Sequence, residues 1–377
     1  MKKLILANAM IMNADFKLMQ MDLEIEDGKI SQIGKHLEGT NKLDMTGKYI
    51  LPGFIDTHIH GAYGVRIDDE DPDLSVITEY EATQGITSIA ITTFCPGFEA
   101  LLKQFDIVAD FAKNKKGCKL AGIHAEGPFL CARAGKNTEV PTTGKLDLMI
   151  EHGQGLLKII TVSPEMEQAE EFIKYAVEKG LTVTLGHSDA DYETTRRAIE
   201  AGATQATHTF NAVRPYHHRE PGIIGAVLTD QDVTCEMICD YVHLHPATVR
   251  LIYMLKGPER INLVSDSITA TGTNLTEYVV NGETRYVRNG VSIGATGNIA
   301  GSVKSLYDDV KNLLDSGFSL EHVSRMASLN PARSLKLDHV IGSIAEGKAA
   351  DLVVLNSNYE VEATFVDGEC IYKNFED

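Results

Sequence analysis

No stretch of this chain approaches the roughly 18 uninterrupted apolar residues that a membrane-spanning helix requires, so a membrane partner is not expected. No CxxC pair is present either. Cys95, Cys118, Cys131, Cys235, Cys239 and Cys370 are scattered, two of them in the apolar stretch "VTCEMICD", and read as reduced thiols. Positive charge is scarce: 35 Lys and Arg against 53 Asp and Glu leave a formal net charge of -18, which argues against nucleic acid or an anionic membrane as the main partner. An anionic substrate would need a local basic pocket. The start, "MKKLILANAMIMNADF", imitates a signal peptide, but Asn8 interrupts the apolar run and Ala7-Asn8-Ala9 comes too early for a cleavage site. The next stretch, "DLEIEDGKI", continues as an alternating strand pattern, and a cytoplasmic protein is expected.

What is present suits a soluble enzyme. The 377 residues, 43% hydrophobic and 23% charged, can build a large core and one smaller domain. Residues 1–50 read as short strands joined by turns, with Asp27-Gly28 a hairpin signal. From 343 to 377 the pattern returns in "ADLVVLN", "ATFV", Asp367-Gly368 and "ECIY". A small β-sandwich built from both termini is expected, flanking a catalytic domain over 51–342. There, "GFIDTHIH", "TSIAITTF", "KLAGIHAE", "LKIITVSP", "LTVTLGHS", "QATHTFNA", "TCEMICD" and "INLVSDS" read as strands. Amphipathic helices over 73–84, 165–179, 189–201 and 245–256 separate many of them. Near-continuous apolar strands alternating with helices point to the α/β class, a (β/α)8 TIM-like barrel. A doubly wound open sheet is the alternative, weakened because no GxGxxG follows the first strand.

Polar residues close several of these strands. His58 and His60 end the first, Glu126 the third, His187 the fifth and Asp266 the eighth, while His208 falls in the sixth. Residues i and i+2 of a strand point the same way, so both imidazoles of His58-Ile59-His60 would converge above the strand end. In a barrel all these C-terminal ends surround one mouth. Any one of these residues alone reads more simply as a hydrogen-bonded strand end or a helix cap. Jointly, four histidines and two carboxylates make a site for a divalent metal ion, one or two per subunit, and the donors suit Zn, Fe, Mn or Co. A metal lowers the pKa of a bound water and supplies hydroxide at neutral pH.

"LPGFIDTHIHG", "GIHAEGPF", "LGHS", "HTFNA", "REPGIIGAVL", "LVSDSITATG", "GNIAGS", "NPARSLKL" and "GSIAEGKAADLVVL" run in order over almost the whole chain. Together they resemble the N-acetylglucosamine-6-phosphate deacetylases of the amidohydrolase superfamily. The resemblance implies that Glu126, His187 and His208 hold one ion and that His58 and His60 can hold a second. It also implies that Asp266 is the general base that takes a proton from the attacking water and returns it to the leaving amine. His243, in "CDYVHLHP", matches a histidine that supports the developing oxyanion, whereas His245 reads as a surface or helix-start residue. Asn211 and Ala212 match residues whose backbone amides hold the sugar phosphate. Arg219 matches an arginine reaching that phosphate from the neighbouring subunit, which implies a homodimer. Without the resemblance, Arg219 reads as a surface cation.

One position departs from the pattern. Where the family has Gly-x-His or Gly-x-Gln touching the sugar hydroxyls, this chain has Asn137, with a shorter side chain than either. The expected reaction is hydrolysis of N-acetylglucosamine 6-phosphate to glucosamine 6-phosphate and acetate. Alternatives on the same fold are another N-acyl amino sugar phosphate, such as N-acetylgalactosamine 6-phosphate, or a cyclic amide. Cyclic-amide relatives often use a carboxylated lysine of the fourth strand, and Lys158 lies at the wrong end of it. A non-catalytic metal-binding barrel would have lost a ligand or Asp266, and none is lost.

Overall fold

The computed structural model describes residues 3–93, 97–113, 116–131, 138–280, 282–294 and 297–375. The chain opens with β1 (Lys3–Met12), β2 (Leu18–Glu26), β3 (Lys29–Gly34), β4 (Lys42–Asp44) and β5 (Tyr49–Pro52). Parallel strands β6 (Phe54–Ile59), β9 (Ile86–Thr93), β10 (Lys119–Glu126), β11 (Leu157–Val162), β12 (Thr182–Leu185), β13 (Gln205–Ala206), β14 (Thr234–Met237) and β15 (Ile261–Leu263) follow, with the small ladder β7 (Gly61–Ala62) and β8 (Val65–Arg66) after the first of them. Next come a three-stranded sheet, β16 (Glu277–Val280), β17 (Glu283–Arg288) and β18 (Val291–Ile293), and then β19 (Leu352–Leu355), β20 (Val361–Val366) and β21 (Glu369–Lys373). Among the described residues no helix is long and apolar enough to cross a membrane.

The terminal strands share one sheet in the order β21-β20-β19-β5-β1-β2-β3, with β4 also on β1. Leu6 and Ile11 of β1, Leu23 and Ile25 of β2, Ile50 of β5, Val354 of β19 and Phe365 of β20 meet in one core, so this single sheet curls over itself to supply both layers. Asp27-Gly28 turns β2 into β3 with φ +50° and +80°, and Asp367-Gly368 turns β20 into β21 with φ +47° and +73°. Positive φ at both central positions is the turn that matches strand twist, and Asp-Gly adopts it readily.

In the barrel, β6, β9 and β12 are buried at every position, which their apolar runs require when helices cover the outside. The helices are α1 (Leu74–Thr83), α2 (Phe98–Phe111), α3 (Thr143–Gly153), α4 (Ala169–Glu178), α5 (Tyr192–Glu200), α6 (Gly222–Thr229), α7 (Pro246–Lys256), α8 (Leu306–Asp315), α9 (Leu320–Ala327) and α10 (Leu329–Ser334). Local chemistry starts them. Asp73 and Asp191 cap α1 and α5 by accepting backbone N–H bonds from Ser75 (3.1 Å) and Thr194 (2.7 Å). His245 caps α7 through Nδ1, which accepts from Ala247 N–H (3.1 Å), and Pro246 occupies the first helical position.

Strands β15 and β6 are the two ends of the barrel sheet, and the segment after β15 closes it. Asp266 N–H donates to His58 C=O (2.9 Å), Ile59 bridges Ser267 in parallel, and Ser265 Oγ donates to Asp56 on β6. Barrel closure therefore brings Asp266 beside the two histidines of the first strand.

Candidate active site

Six side chains meet at the C-terminal mouth. Glu126 ends β10, and its Oε1 lies 2.9 Å from His187 Nε2, 3.1 Å from His208 Nε2 and 3.3 Å from His58 Nε2. Its Oε2 lies 3.2 Å from His60 Nε2. Asp266 Oδ1 completes the ring, 3.5 Å from His58 Nε2 and 3.3 Å from His60 Nε2. The alternation argument for His-Ile-His holds, since both Nε2 atoms face the same two carboxylates. Four positions differ from the strand reading: β6 ends at Ile59, β12 at Leu185, β13 at Ala206 and β15 at Leu263, so His60, His187, His208 and Asp266 lie one to three residues beyond their strands. His187, His208 and Asp266 carry φ of +49°, +25° and +50°, a conformation non-glycine residues adopt only where the surroundings hold them. That strain turns all three side chains inward just past the strand ends.

The donor set fits a divalent cation. His187 Nε2 and His208 Nε2 are 3.0 Å apart and face the same carboxylate oxygen, while the buried His58 Nε2 makes no hydrogen bond among the described residues. Glu126, His187 and His208 can form one ligand group, and His58, His60 and Asp266 a second. Nitrogen and carboxylate donors without a thiolate suit Zn, Fe, Mn or Co. Electrostatics point the same way. Burial opposes charge on His60, yet hydrogen bonds and charge from Asp266 and Glu126 outweigh it and raise its pKa to about 9. Burial likewise pushes the Asp266 carboxyl up, but the charge of His58 and the hydrogen bond and charge of His60 bring it down to about 2. Two carboxylates among four imidazoles thus draw positive charge into the mouth.

Around this ring stand residues the sequence reading did not single out. Glu236 of β14 accepts at Oε2 from His208 N–H (3.0 Å) and contacts His58 Nδ1 (2.9 Å). Burial raises its pKa, but the charge and hydrogen bond of His58 outweigh that and hold it below the usual range. His124 packs edge-on against His58, with ring centroids 4.6 Å apart; burial lowers its pKa to about 4 and keeps it neutral. Asp240 lies 2.7 Å from His243 Nδ1; burial disfavours the imidazolium, but Asp240 outweighs it and raises the His243 pKa. A carboxylate inside an otherwise apolar strand, as in "TCEMICD", was the available signal for Glu236.

The remaining expected residues lie outside the ring. Asn211 N–H closes a turn on His208 C=O (2.9 Å), and Ala212 follows with φ +51°. Arg219 sits on an exposed turn, with Nη1 2.9 Å from His218 Nε2. Lys158 is the second residue of β11, at the end away from the mouth. Asn137 lies outside the described residues.

Barrel and mouth together define an α/β barrel whose strand ends carry a cluster that could hold a metal ion. Residues 49–371 match the amidohydrolase family, and the chain belongs to it. It is thereby a hydrolase acting on carbon–nitrogen bonds. It is 33% identical over 375 residues to an N-acetylglucosamine-6-phosphate deacetylase of Lysinibacillus sphaericus, covering 97% of each chain. An N-acetylgalactosamine-6-phosphate deacetylase of Escherichia coli O157:H7 is also 33% identical, over 92% of this chain and 93% of its own. The crystal structure of the N-acetylglucosamine-6-phosphate deacetylase of Pasteurella multocida superposes with a TM-score of 0.92 at 29% identity, covering 99% of this chain and all of that one.

Proposed function

We propose that this protein removes the acetyl group from N-acetylglucosamine 6-phosphate, giving glucosamine 6-phosphate and acetate. The observation that carries this reading is the convergence of four imidazoles and two carboxylates, at 2.9 to 3.5 Å, in a chain 33% identical to a deacetylase over nearly its whole length. Glu126, His187 and His208 would hold one divalent ion, and His58 and His60, beside Asp266, a second. A divalent cation there polarises an amide carbonyl and lowers the pKa of water toward neutrality.

Asp266 is the general base and then the acid. Its carboxyl is held ionised and is still 13% exposed, so it can take a proton from the attacking water and deliver it to the departing amine. His243 supports the oxyanion: Asp240 takes its Nδ1 proton as a hydrogen bond and favours the imidazolium, which leaves Nε2–H to donate. The Asn211-Ala212 turn, Asn137 and Arg219 would bind the sugar phosphate, with Arg219 entering from the second subunit of a homodimer. That arginine offsets locally the net charge of -18. A cytoplasmic location completes the reading.

The test is acetate release by zinc-reconstituted protein on the gluco and galacto substrates side by side, with Asp266→Asn as the control. A kcat/KM at least about tenfold higher on the gluco substrate is expected, with a loss of about 10²-fold or more in the variant. The equal identity to an N-acetylgalactosamine-6-phosphate deacetylase supports a second, minor reading, in which Asn137 turns the same chemistry to N-acetylgalactosamine 6-phosphate. A reversed preference would establish it.

A further inference from the structure

Beneath the mouth, polar side chains form a directed chain through the barrel. Asn262 Nδ2 donates to Ser334 Oγ (2.8 Å), Ser334 Oγ donates to Gln205 Oε1 (2.6 Å), and Gln205 Nε2 donates to Glu236 Oε1 (2.7 Å). The order follows from the donors available: Ser334 accepts from the Asn262 amide and has its own proton left for Gln205, whose NH2 then faces Glu236. The second Glu236 oxygen accepts from His208 N–H (3.0 Å). Both oxygens are therefore acceptors, and His58 Nδ1, at 2.9 Å from Oε2, must be the donor. With Nδ1 donating to Glu236, Nε2 is the nitrogen of His58 left to hold a cation, and it faces Glu126 (3.3 Å) and Asp266 (3.5 Å). The neighbouring His124, held by Thr57 C=O (3.0 Å) and Thr161 Oγ1 (2.8 Å), packs edge-on against His58.

We infer that Glu236 is a positioning residue that sets the His58 tautomer and so creates the second cation position, that of His58 and His60, while the Glu126–His187–His208 position does not depend on its side-chain charge. A carboxylate placed behind a ligating histidine fixes the ring and raises its basicity, and its loss typically weakens metal affinity about 10- to 100-fold. Glu236 touches His208 only through the backbone N–H, whereas its contact with His58 is to the imidazole itself. Removal of the side chain takes a backbone acceptor from His208 but an imidazole partner only from His58, so the loss of ligation falls on the His58 position.

The inference rests on the proposed metal site, and the experiment separates the two. Metal-free wild type, Glu236→Ala and Glu236→Gln are titrated with Zn²⁺ by calorimetry. The bound zinc is counted by mass spectrometry after desalting, and melting temperatures are recorded alongside. Two equivalents are expected for wild type and one for Glu236→Ala, at the affinity of the wild-type first site. Glu236→Gln keeps an acceptor for His58 Nδ1–H but turns an NH2 toward that of Gln205, so two equivalents are expected, the second weakened about 10- to 100-fold. Two equivalents at wild-type affinity in Glu236→Ala would overturn the inference, as would loss of both sites in step with the melting temperature. A wild type that takes one equivalent refutes the second position and leaves the deacetylase reading standing. A wild type that takes none refutes that reading as well.

Discussion

His243 is held by the residue behind it. Asp240 Oδ1 accepts the backbone N–H groups of Val242 and His243, both at 2.9 Å, and Oδ2 accepts from Ser302 Oγ (3.1 Å) and meets His243 Nδ1 (2.7 Å). The imidazole is thus fixed in place and kept protonated above the pH at which a free histidine would lose its charge. Asp240→Asn removes that charge and lowers the His243 pKa. The imidazolium is then lost at a lower pH, so the alkaline limb of the kcat/KM profile is expected to move toward acid, with about 10²-fold lower kcat at pH 8. An unshifted limb in a folded Asp240→Asn would exclude His243 as the cationic donor. His58, His60, Glu126, His187, His208 and Asp266 were all legible as polar residues in or at the ends of the barrel strands. Asp240 and Glu236 were not, because residues that orient a ligand carry no spacing signature of their own.

The elements meet at tight joints. Gly53 links the terminal sheet to β6 and donates its N–H to Asp351 C=O (2.9 Å); a Cβ there would fall 2.1 Å from Thr87 Cγ2 and 2.2 Å from Thr87 Oγ1. Gly53→Ala must push β5 or β9 aside, and a loss of about 1–3 kcal/mol is expected in urea unfolding. Helix α1 carries another constraint. Glu81 is fully buried, both carboxyl oxygens make no hydrogen bond among the described residues, and burial with nearby Asp56 and Asp308 pushes its pKa well up. A raised carboxyl pKa contributes stability that is complete below the unfolded value of 4.5 and is lost as pH climbs toward the folded one. Glu81→Gln removes that loss, so its melting temperature relative to wild type is expected to rise steadily from pH 5 to pH 8. A constant difference across that range would show that Glu81 does not titrate with folding. Strand alternation and the Asp-Gly turns made the terminal strands readable. Their assembly into one small domain was readable too, but its form as a single curled sheet was not, because β1 pairs with β2 along nearly its whole length and with β4 and β5 along different parts of it.

For the molecule as a whole the expected consequence is a shared site. If Arg219 serves the neighbouring subunit, Arg219→Ala and Asp266→Asn damage different halves of one composite site. Each variant alone is expected to be nearly inactive at low substrate, Arg219→Ala through a KM at least about tenfold higher. Co-refolded one to one, half of the dimers are mixed and each carries one intact site, so roughly a quarter of wild-type activity should return. No recovery would place Arg219 in its own subunit's site or outside both.

Apolar runs and the polar residues closing them pointed to the barrel class and the candidate metal ligands, because these depend on periods of two and 3.6 residues and on side-chain type, while the resemblance of ordered motifs along the chain carried the hydrolytic chemistry. Tertiary structure alone decided what those residues do together. The closure of β15 onto β6 brings Asp266 to His58, positive φ at His187 and His208 turns both inward, and a glutamate from the seventh barrel strand reaches a histidine of the first. These are contacts between residues as many as 208 positions apart, as for Asp266 and His58, and no local pattern encodes which of many buried polar groups will meet when the barrel closes.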